Sequence, residues 1–296
     1  MISSKQFGYN TFWWEALHTE DQIKKCVDLL AELGYHYIEF KRDSFDQSDL
    51  PGQFRQAAKI TEAAGLEISN FVVLRDQTQG DPQPIDDVIE TIQACAEAGV
   101  GLLNSVFGGA GTPIAAAPED WWMPPQAHSE TAWDSVVRAM EKICEAGERH
   151  GVTMAMEPIV GGLVCNLQAF QHLFSRFDHP RLGVTMDPSH LLLHRDDIPY
   201  AVRQLGDKIK HVHMKDAVGR PGAFGLDFMF PALGAGAIDW RAFLGALDDI
   251  QYQGALSGEY EQFKYKAHIR NNDPEYGARV IREELDALHR LAFPQG

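Results

Sequence analysis

The chain has 296 residues, of which 45% are hydrophobic and 23% charged, a composition typical of a globular protein with a sizeable core. Its net charge of −16, with no cluster of lysines and arginines, argues against nucleic-acid binding, which needs a basic surface facing the phosphates. No apolar run approaches the roughly 18 residues of a membrane span, and the N-terminus lacks a signal peptide's apolar core. We therefore expect a cytoplasmic protein without a membrane partner.

Short apolar segments alternate with amphipathic helical segments along the chain, as expected for a parallel sheet. The predicted strands comprise residues 7–12, 37–40, 67–74, 101–107, 152–159, 182–190, 209–217 and 254–260. Helical periodicity is clearest over residues 21–33, 132–150 and 274–291, and Pro274 suits the first turn of the last of these helices. Eight strands and about eight helices predict a single (β/α)8 TIM barrel over residues 1–296. The alternative, a doubly wound open sheet, requires a glycine-rich phosphate turn after its first strand, and none follows here.

Four cysteines stand far apart in the sequence, at Cys26, Cys95, Cys144 and Cys165. They form no CxxC pair, and no histidine stands at zinc-finger spacing from them. We therefore expect small buried hydrophobic side chains in a reducing compartment.

Three connections that follow predicted strands are unusually long, namely residues 108–131, 218–238 and 261–273. In a barrel they would all lie at the carboxyl ends of the strands, the face where long loops usually carry function. The first contains Trp121 and Trp122, which suit either a lid over a substrate or a subunit interface. A homo-oligomer, either a dimer or a tetramer, is therefore expected.

Ionisable residues stand at the ends of four consecutive predicted strands, where barrel strands are otherwise apolar. In chain order they are Glu157, Asp187, His190, His211, His213, Lys215 and Glu259. Burying a carboxylate there is costly unless it is paired or binds a metal. Because parallel strands converge at their carboxyl ends, we predict one metal site with one ligand from each strand. Its ligands are Glu157, Asp187, His213 and Glu259.

Three carboxylates and one imidazole favour Mn²⁺, with Mg²⁺ or Co²⁺ as alternatives, over a structural zinc ion. An octahedral ion with four protein ligands keeps two positions for a carbonyl and its neighbouring hydroxyl, and would stabilise an enediolate. Glu157 and Glu259 lie on strands that are not neighbours, so one could remove and the other return a proton. The alternative for Asp187 is a helix N-cap, and for His211 a core histidine.

The four predicted ligands resemble the metal site of the xylose-isomerase-like superfamily of sugar isomerases and epimerases. This superfamily includes D-tagatose 3-epimerase type enzymes, inosose dehydratase, hydroxypyruvate isomerase and the endonuclease IV relatives. The resemblance extends over the whole chain as strand–helix alternation and is specific from Met156 to Glu259, where MEP, MDPSH and HVHMKD precede the final glutamate. It implies that the two glutamates act both as ligands and in proton transfer, and that His190 contacts substrate oxygens.

The sequence departs from the ketohexose epimerases at two places. The run EPIVGG after Glu157 lacks their arginine, and Gly219 stands where they have an arginine six residues after the metal histidine. Arg220 is the candidate to replace it, and the sequence leaves this open. Lys215, in HMKD, resembles instead the branch that includes dehydratases and lyases of 3-keto sugars and inositols. The resemblance therefore implies the superfamily rather than ketohexose specificity.

Further residues near the strand ends are predicted to contact the substrate. Lys215 is expected to bind a substrate oxygen, and the alternative is an ion pair with a carboxylate such as Glu259. Trp13, Glu39 and His211 complete the predicted contacts, although Trp13 suits the core or an interface equally well.

The sequence thus predicts a divalent-metal-dependent sugar isomerase or epimerase that abstracts the proton next to a carbonyl. The alternative is a lyase or dehydratase acting on a keto-sugar, an inosose or a 3-keto-glycoside, which begins with the same proton abstraction. A nuclease of the endonuclease IV kind would need more metal ligands and a basic groove, and a non-catalytic subunit would not need an intact ligand set. No arginine-rich or glycine-rich phosphate cradle stands out, so an unphosphorylated sugar is expected.

Overall fold

The computed structural model describes residues 2–75, 82–107, 129–220, 228–262 and 271–293. Within them, parallel strands close into an eight-stranded barrel. These strands are β1 (Phe7–Asn10), β2 (Tyr37–Lys41), β3 (Glu67–Arg75), β4 (Leu102–Phe107), β5 (Thr153–Glu157), β6 (Leu182–Met186), β7 (Ile209–Met214) and β10 (Leu256–Gly258). A separate antiparallel pair is formed by β8 (Val218–Gly219) and β9 (Phe228–Met229). Neighbours in the ring follow chain order, with β10 between β7 and β1, which confirms the predicted TIM barrel.

Helices follow the barrel strands and pack outside them. They are α1 (Glu20–Glu32), α2 (Leu50–Ala63), α3 (Pro82–Glu97), α4 (Glu130–His150), α5 (Leu167–Arg176), α6 (Pro188–Leu193), α7 (Ile198–Leu205), α8 (Trp240–Asp249) and α9 (Pro274–Ala292). Side-chain oxygens of Thr19, Ser129 and Asn166 cap the first turns of α1, α4 and α5. Gly151 ends α4 with a φ of +73°, which a residue with a side chain adopts only with strain. In the described part of the chain, no helix is long and apolar enough to cross a membrane.

Five barrel strands end earlier than the sequence predicts, and the first and fifth strands of the barrel end at Asn10 and Glu157. The sixth ends at Met186 because Pro188 occupies the first turn of α6, where its fixed φ and missing N–H are tolerated. Asp187 is therefore the N-cap of this helix rather than a strand residue. The seventh strand ends at Met214, and the eighth is only three residues long, ending at Gly258.

The interior is mainly apolar, and many of its buried ionisable residues lie at or near the carboxyl ends of the strands. All residues of β1, β6 and β10 are buried, and a continuous hydrophobic core joins the strands to the helices around them. The rings of Phe54 and Phe71 stack with centroids 3.5 Å apart where α2 meets β3. All four cysteines are free and buried, as predicted.

A buried carboxylate holds the described part of the connection after β7. Asp216 accepts hydrogen bonds from the backbone N–H groups of Gly234 at 2.9 Å and Gly236 at 3.1 Å, and from Trp240 Nε1 at 2.9 Å. A Cβ on Gly236 would lie 2.0 Å from Asp216 Oδ1, so this position requires glycine. The predictions for residues 108–128, including Trp121 and Trp122, and for residues 221–227 and 263–270 lie outside the described residues.

Candidate metal centre and active site

The four predicted ligands meet at the carboxyl end of the barrel. Glu157, Asp187, His213 and Glu259 each offer one ligand atom, and these atoms all lie within 4.8 Å of one another. The Nδ1 atom of His213 is 2.9 Å from Glu157 Oε1 and 3.5 Å from Glu259 Oε1. All four residues are buried, so their charges act in a medium that screens them poorly.

Each predicted ligand is held by the end of a different strand. Glu157 is the last residue of β5, His213 lies one residue before the end of β7, and Glu259 directly follows β10. Asp187 follows β6 and uses its Oδ1 atom to accept hydrogen bonds from Ser189 N at 2.8 Å and Ser189 Oγ at 2.7 Å. Because capping occupies Oδ1, Asp187 serves as the N-cap and still presents Oδ2 to the cluster.

Lys215 brings a buried positive charge to this site. Its Nζ atom lies 2.8 Å from Asp187 Oδ2, 2.6 Å from Glu259 Oε2 and 3.2 Å from Glu261 Oε2. It is also 3.3 Å from Nε2 of His190. The ion pair with Glu259, the alternative that the sequence leaves open, is therefore present, and the lysine also lines the cavity described below.

Carboxylates outnumber the cations of the described site, and their pKa values reflect this. Burial raises the pKa of Glu259 to about 7, against the opposing effects of His213 and Lys215. Burial would also raise the pKa of Asp187, but Lys215 and His190 hold it at about 2. Burial would lower the pKa of His213, yet the surrounding glutamates raise it well above its ordinary value. An excess of buried negative charge of this kind suits a bound cation.

One open cavity borders the centre, with an empty volume of about 450 Å³ that includes its mouth. Its polar lining consists of Asn10, Glu157, His190, His213, Lys215, Glu259 and Glu261. Its apolar lining consists of Phe12, Val72, Leu74, Val106 and Ile159. Apolar walls with a few convergent polar groups are typical of a small-molecule site.

The structure brings His190 to this cavity from α6. Its Nδ1 atom accepts a hydrogen bond from the backbone N–H of Val160 at 3.1 Å, so the proton of the neutral ring is on Nε2. Burial and the charge of Lys215 lower the pKa of His190 to about 4, which keeps the ring neutral at pH 7. The neutral ring is then a hydrogen-bond donor at the cavity.

Glu39 and His211 lie behind the four-residue cluster rather than in the described cavity lining. Glu39 Oε2 is 2.9 Å from His211 Nε2, and Glu39 Oε1 is 3.0 Å from His213 Nε2. Glu39 and His211 are 0% and 1% exposed. Burial would raise the pKa of Glu39, but His213 and His211 hold it well below its ordinary range.

Two other predicted contacts also lie away from this lining. Trp13 is half-buried and packs edge-to-face on Phe12, with ring centroids 5.2 Å apart, and it is Phe12 that borders the cavity. Arg220 is exposed and is not among the described lining residues.

Three residues that sequence analysis does not assign to the site belong to it. Asn10 Nδ2 donates to Glu259 Oε1 at 2.9 Å, and Asn104 Nδ2 donates to Glu157 Oε2 at 3.2 Å. Glu261 contacts Lys215. The motif GEYE contains the signal for Glu261, because alternate residues in extended chain point to the same side. For Asn104 the signal is an amide inside the mostly apolar strand segment LLNSVF.

A model of the xylose isomerase-like TIM barrel family matches residues 27–290. The chain belongs to this family. L-ribulose 3-epimerase from Mesorhizobium japonicum is 25% identical over 263 residues, which cover 86% of this chain and 80% of that protein. Inosose dehydratase from Geobacillus kaustophilus is 25% identical over 300 residues, which cover 94% of this chain and 90% of that protein.

Solved structures share the same fold. A structure of L-ribulose 3-epimerase has a TM-score of 0.74 at 20% identity and covers 97% of this chain and 95% of its own. The IolI protein with a bound zinc atom has a TM-score of 0.72 at 18% identity and covers 98% of this chain and 100% of its own. The relatives support an enzyme that acts on sugars, and the four-residue cluster of this chain suggests a metal-binding site.

Proposed function

We propose that the protein is a divalent-metal-dependent epimerase or isomerase of sugars, which removes the proton next to a carbonyl. One observation carries this proposal. Glu157 and Glu259, the two carboxylates able to exchange protons with a substrate carbon, flank His213 and line the same cavity. They come from β5 and the end of β10, with β6 and β7 between them in the ring.

The donor set fits a divalent metal. It offers three carboxylates and one imidazole within 4.8 Å, with more buried carboxylates around it than Lys215 can neutralise. Oxygen-rich ligation favours Mn²⁺, with Mg²⁺ or Co²⁺ as alternatives, although an imidazole also suits zinc. When bound, the metal supplies Lewis-acid stabilisation of the charge that develops as the substrate loses its proton.

The chain's own groups handle the proton. Glu259, with Asn10 Nδ2 on Oε1, accepts it from the substrate carbon, and Glu157, with Asn104 Nδ2 on Oε2, delivers one to the opposite face. Return to the same carbon from the other side inverts that centre. Return to the former carbonyl carbon, with the hydroxyl proton moving to the former carbonyl oxygen, interconverts an aldose and a ketose. The side-chain amides of Asn10 and Asn104 keep both carboxylates oriented as they gain and lose a proton.

A dehydratase is the second candidate, and Lys215 favours it. Its buried ammonium lines the cavity 2.6 Å from Glu259 Oε2, within reach of both a substrate hydroxyl and the proton-abstracting carboxylate. After Glu259 takes the proton, Lys215 would donate one to the departing hydroxyl, which leaves as water. The inosose dehydratase relative, which matches over most of both chains, supports this candidate.

We further propose an unphosphorylated sugar or sugar-derived substrate and a cytoplasmic homo-oligomer, without nucleic-acid or membrane partners. The polar lining among the described residues contains one lysine and no arginine, and phosphate sites usually carry more positive charge.

The test is solvent exchange. Metal-loaded protein in D₂O would be incubated with ketoses, aldoses, inososes and 3-keto-glycosides and followed by proton NMR, with Glu259→Gln as the control. Deuterium incorporation with a new epimer or aldose–ketose pair, abolished in Glu259→Gln, is the expected result. Incorporation with loss of water would favour the dehydratase. A protein that binds no divalent metal would overturn both proposals.

A further inference from the structure

The ring of His213 makes contacts on two sides. Its Nδ1 atom faces Glu157 and Glu259, at 2.9 Å and 3.5 Å. Its Nε2 atom faces away from them, 3.0 Å and 3.2 Å from the two oxygens of Glu39. Only one ring nitrogen can bind a metal at the cluster, and it is the nitrogen that faces the other ligands, Nδ1.

Glu39 reaches His213 across the barrel interior. It belongs to β2, which is separated from β7 by β1 and β10 in the ring. Its Oε2 atom is also 2.9 Å from Nε2 of His211, which lies two residues before His213 on the same side of β7. The two imidazoles are 5.2 Å apart and perpendicular, so one carboxylate is held by two rings.

We propose that Glu39, itself fixed by His211, is a positioning residue that holds the Nε2 proton of His213 and thereby makes Nδ1 the metal ligand. This inference rests on the metal site of the proposed function. A neutral imidazole carries one proton, so a carboxylate that accepts from Nε2–H leaves the lone pair on Nδ1. Such a carboxylate also makes the ligating nitrogen a stronger donor.

The same three residues could also be read as a second metal site, since Glu39, His211 and His213 offer ligand atoms close together. Their nitrogen–oxygen distances of 2.9–3.2 Å are those of direct hydrogen bonds. A second ion would also need both nitrogens of His213 to be deprotonated. The arrangement therefore favours hydrogen bonds over a second ion.

The inference assigns Glu39 and His211 a role different from the substrate contact that the sequence suggests. A side chain that is 0% exposed cannot touch a substrate in the cavity, but it can orient the ligand that does face it. Changing Glu39 should therefore weaken metal binding and leave the polar lining of the cavity in place.

The test measures metal binding without substrate, on the full chain. Mn²⁺ affinity would be titrated by calorimetry for wild type, Glu39→Gln, and the control Ser105→Ala, which loses a buried hydrogen bond to Val73 O on the neighbouring strand β3. Glu39→Gln should bind about 10–100-fold more weakly, because loss of such a carboxylate typically has this effect, while Ser105→Ala should match wild type. Equal affinities for Glu39→Gln and wild type would overturn the inference.

A second measurement uses the wild type alone, so it does not depend on a variant that folds. Long-range ¹H–¹⁵N NMR of histidine-labelled protein with Zn²⁺ should show His213 with metal on Nδ1 and a proton on Nε2. Metal on Nε2, or two zinc ions per chain, would overturn the inference while leaving the proposed function standing. Conversely, the expected spectra without any solvent exchange on sugars would support the inference and contradict the proposed reaction.

Discussion

Replacing Lys215 by methionine should destabilise the metal-free protein strongly. The change keeps the length of the side chain and removes an ammonium that lies within 3.2 Å of three buried carboxylates, on Asp187, Glu259 and Glu261. Breaking a buried ion pair from one side typically costs about 3–5 kcal/mol, because the remaining charges have no partner. At about 2 °C per kcal/mol for a chain of this size, the melting temperature should fall by about 6–10 °C.

Metal should reverse much of this loss. A divalent cation bound by Asp187 and Glu259 replaces the positive charge that Lys215 supplies, and it no longer meets the repulsion of the ammonium. The Lys215→Met protein should therefore bind Mn²⁺ more tightly than wild type. Its melting temperature should rise more on addition of Mn²⁺.

The assay is thermal unfolding followed by circular dichroism, with and without saturating Mn²⁺. Lys24→Met is the matched control, since Lys24 pairs with Asp28 on the exposed face of α1 and such a pair contributes at most about 1 kcal/mol. The control should melt within about 2 °C of wild type and respond to Mn²⁺ as wild type does. If the melting temperature of Lys215→Met were lower than that of wild type by the same amount with and without Mn²⁺, the lysine and the metal would not share these carboxylates.

Two further predictions concern pH and the connection after β7. Mn²⁺ affinity should rise about 100-fold per pH unit below 7, because both Glu259, with a pKa of about 7, and His213, with a raised pKa, must release a proton. Above pH 7 the rise should be about tenfold per unit, and an affinity that is flat between about pH 6 and 8 would contradict this protonation pattern. Asp216→Ala should lower the free energy of unfolding in urea by about 3 kcal/mol or more, because it leaves buried N–H groups of Gly234, Gly236 and Trp240 without their acceptor. A loss below about 1 kcal/mol would show that water or another group replaces the carboxylate.

The sequence is sufficient for the fold and for bringing the four predicted ligands together. Barrel strands are buried on both faces, so an ionisable residue at a strand end contrasts sharply with its neighbours. Because all eight strands are parallel, every strand end lies on the same face of the barrel. Residues up to 102 positions apart, Glu157 and Glu259, could therefore be assigned to one site without coordinates.

The parts that sequence analysis did not recover depend on relations across the ring. The contact between Glu39 and His213 joins strands that are not neighbours, so it depends on how the closed barrel aligns its interior side chains. Asn104 is not assigned to the site from the sequence, because one amide in a mostly apolar strand does not reveal what it faces. The end of β6 is hard to place from the sequence, since Asp187 can both end a strand and cap a helix, and only Pro188 distinguishes these roles locally.

Side chains alternate between two sides along β7 and the following residue, Lys215. On one side, this alternation places three ionisable side chains at successive depths in the barrel. His211, His213 and Lys215 lie two residues apart on one side, roughly 6–7 Å per step along an extended chain. The deepest is paired with Glu39, the middle one faces the ligand cluster, and the outermost lies at the cavity against Glu259. Epimerisation requires only the middle level and the two glutamates, whereas elimination also requires an acid at the outer level. Lys215 is therefore the residue at which the two proposed reactions differ, while His211 and His213 serve both.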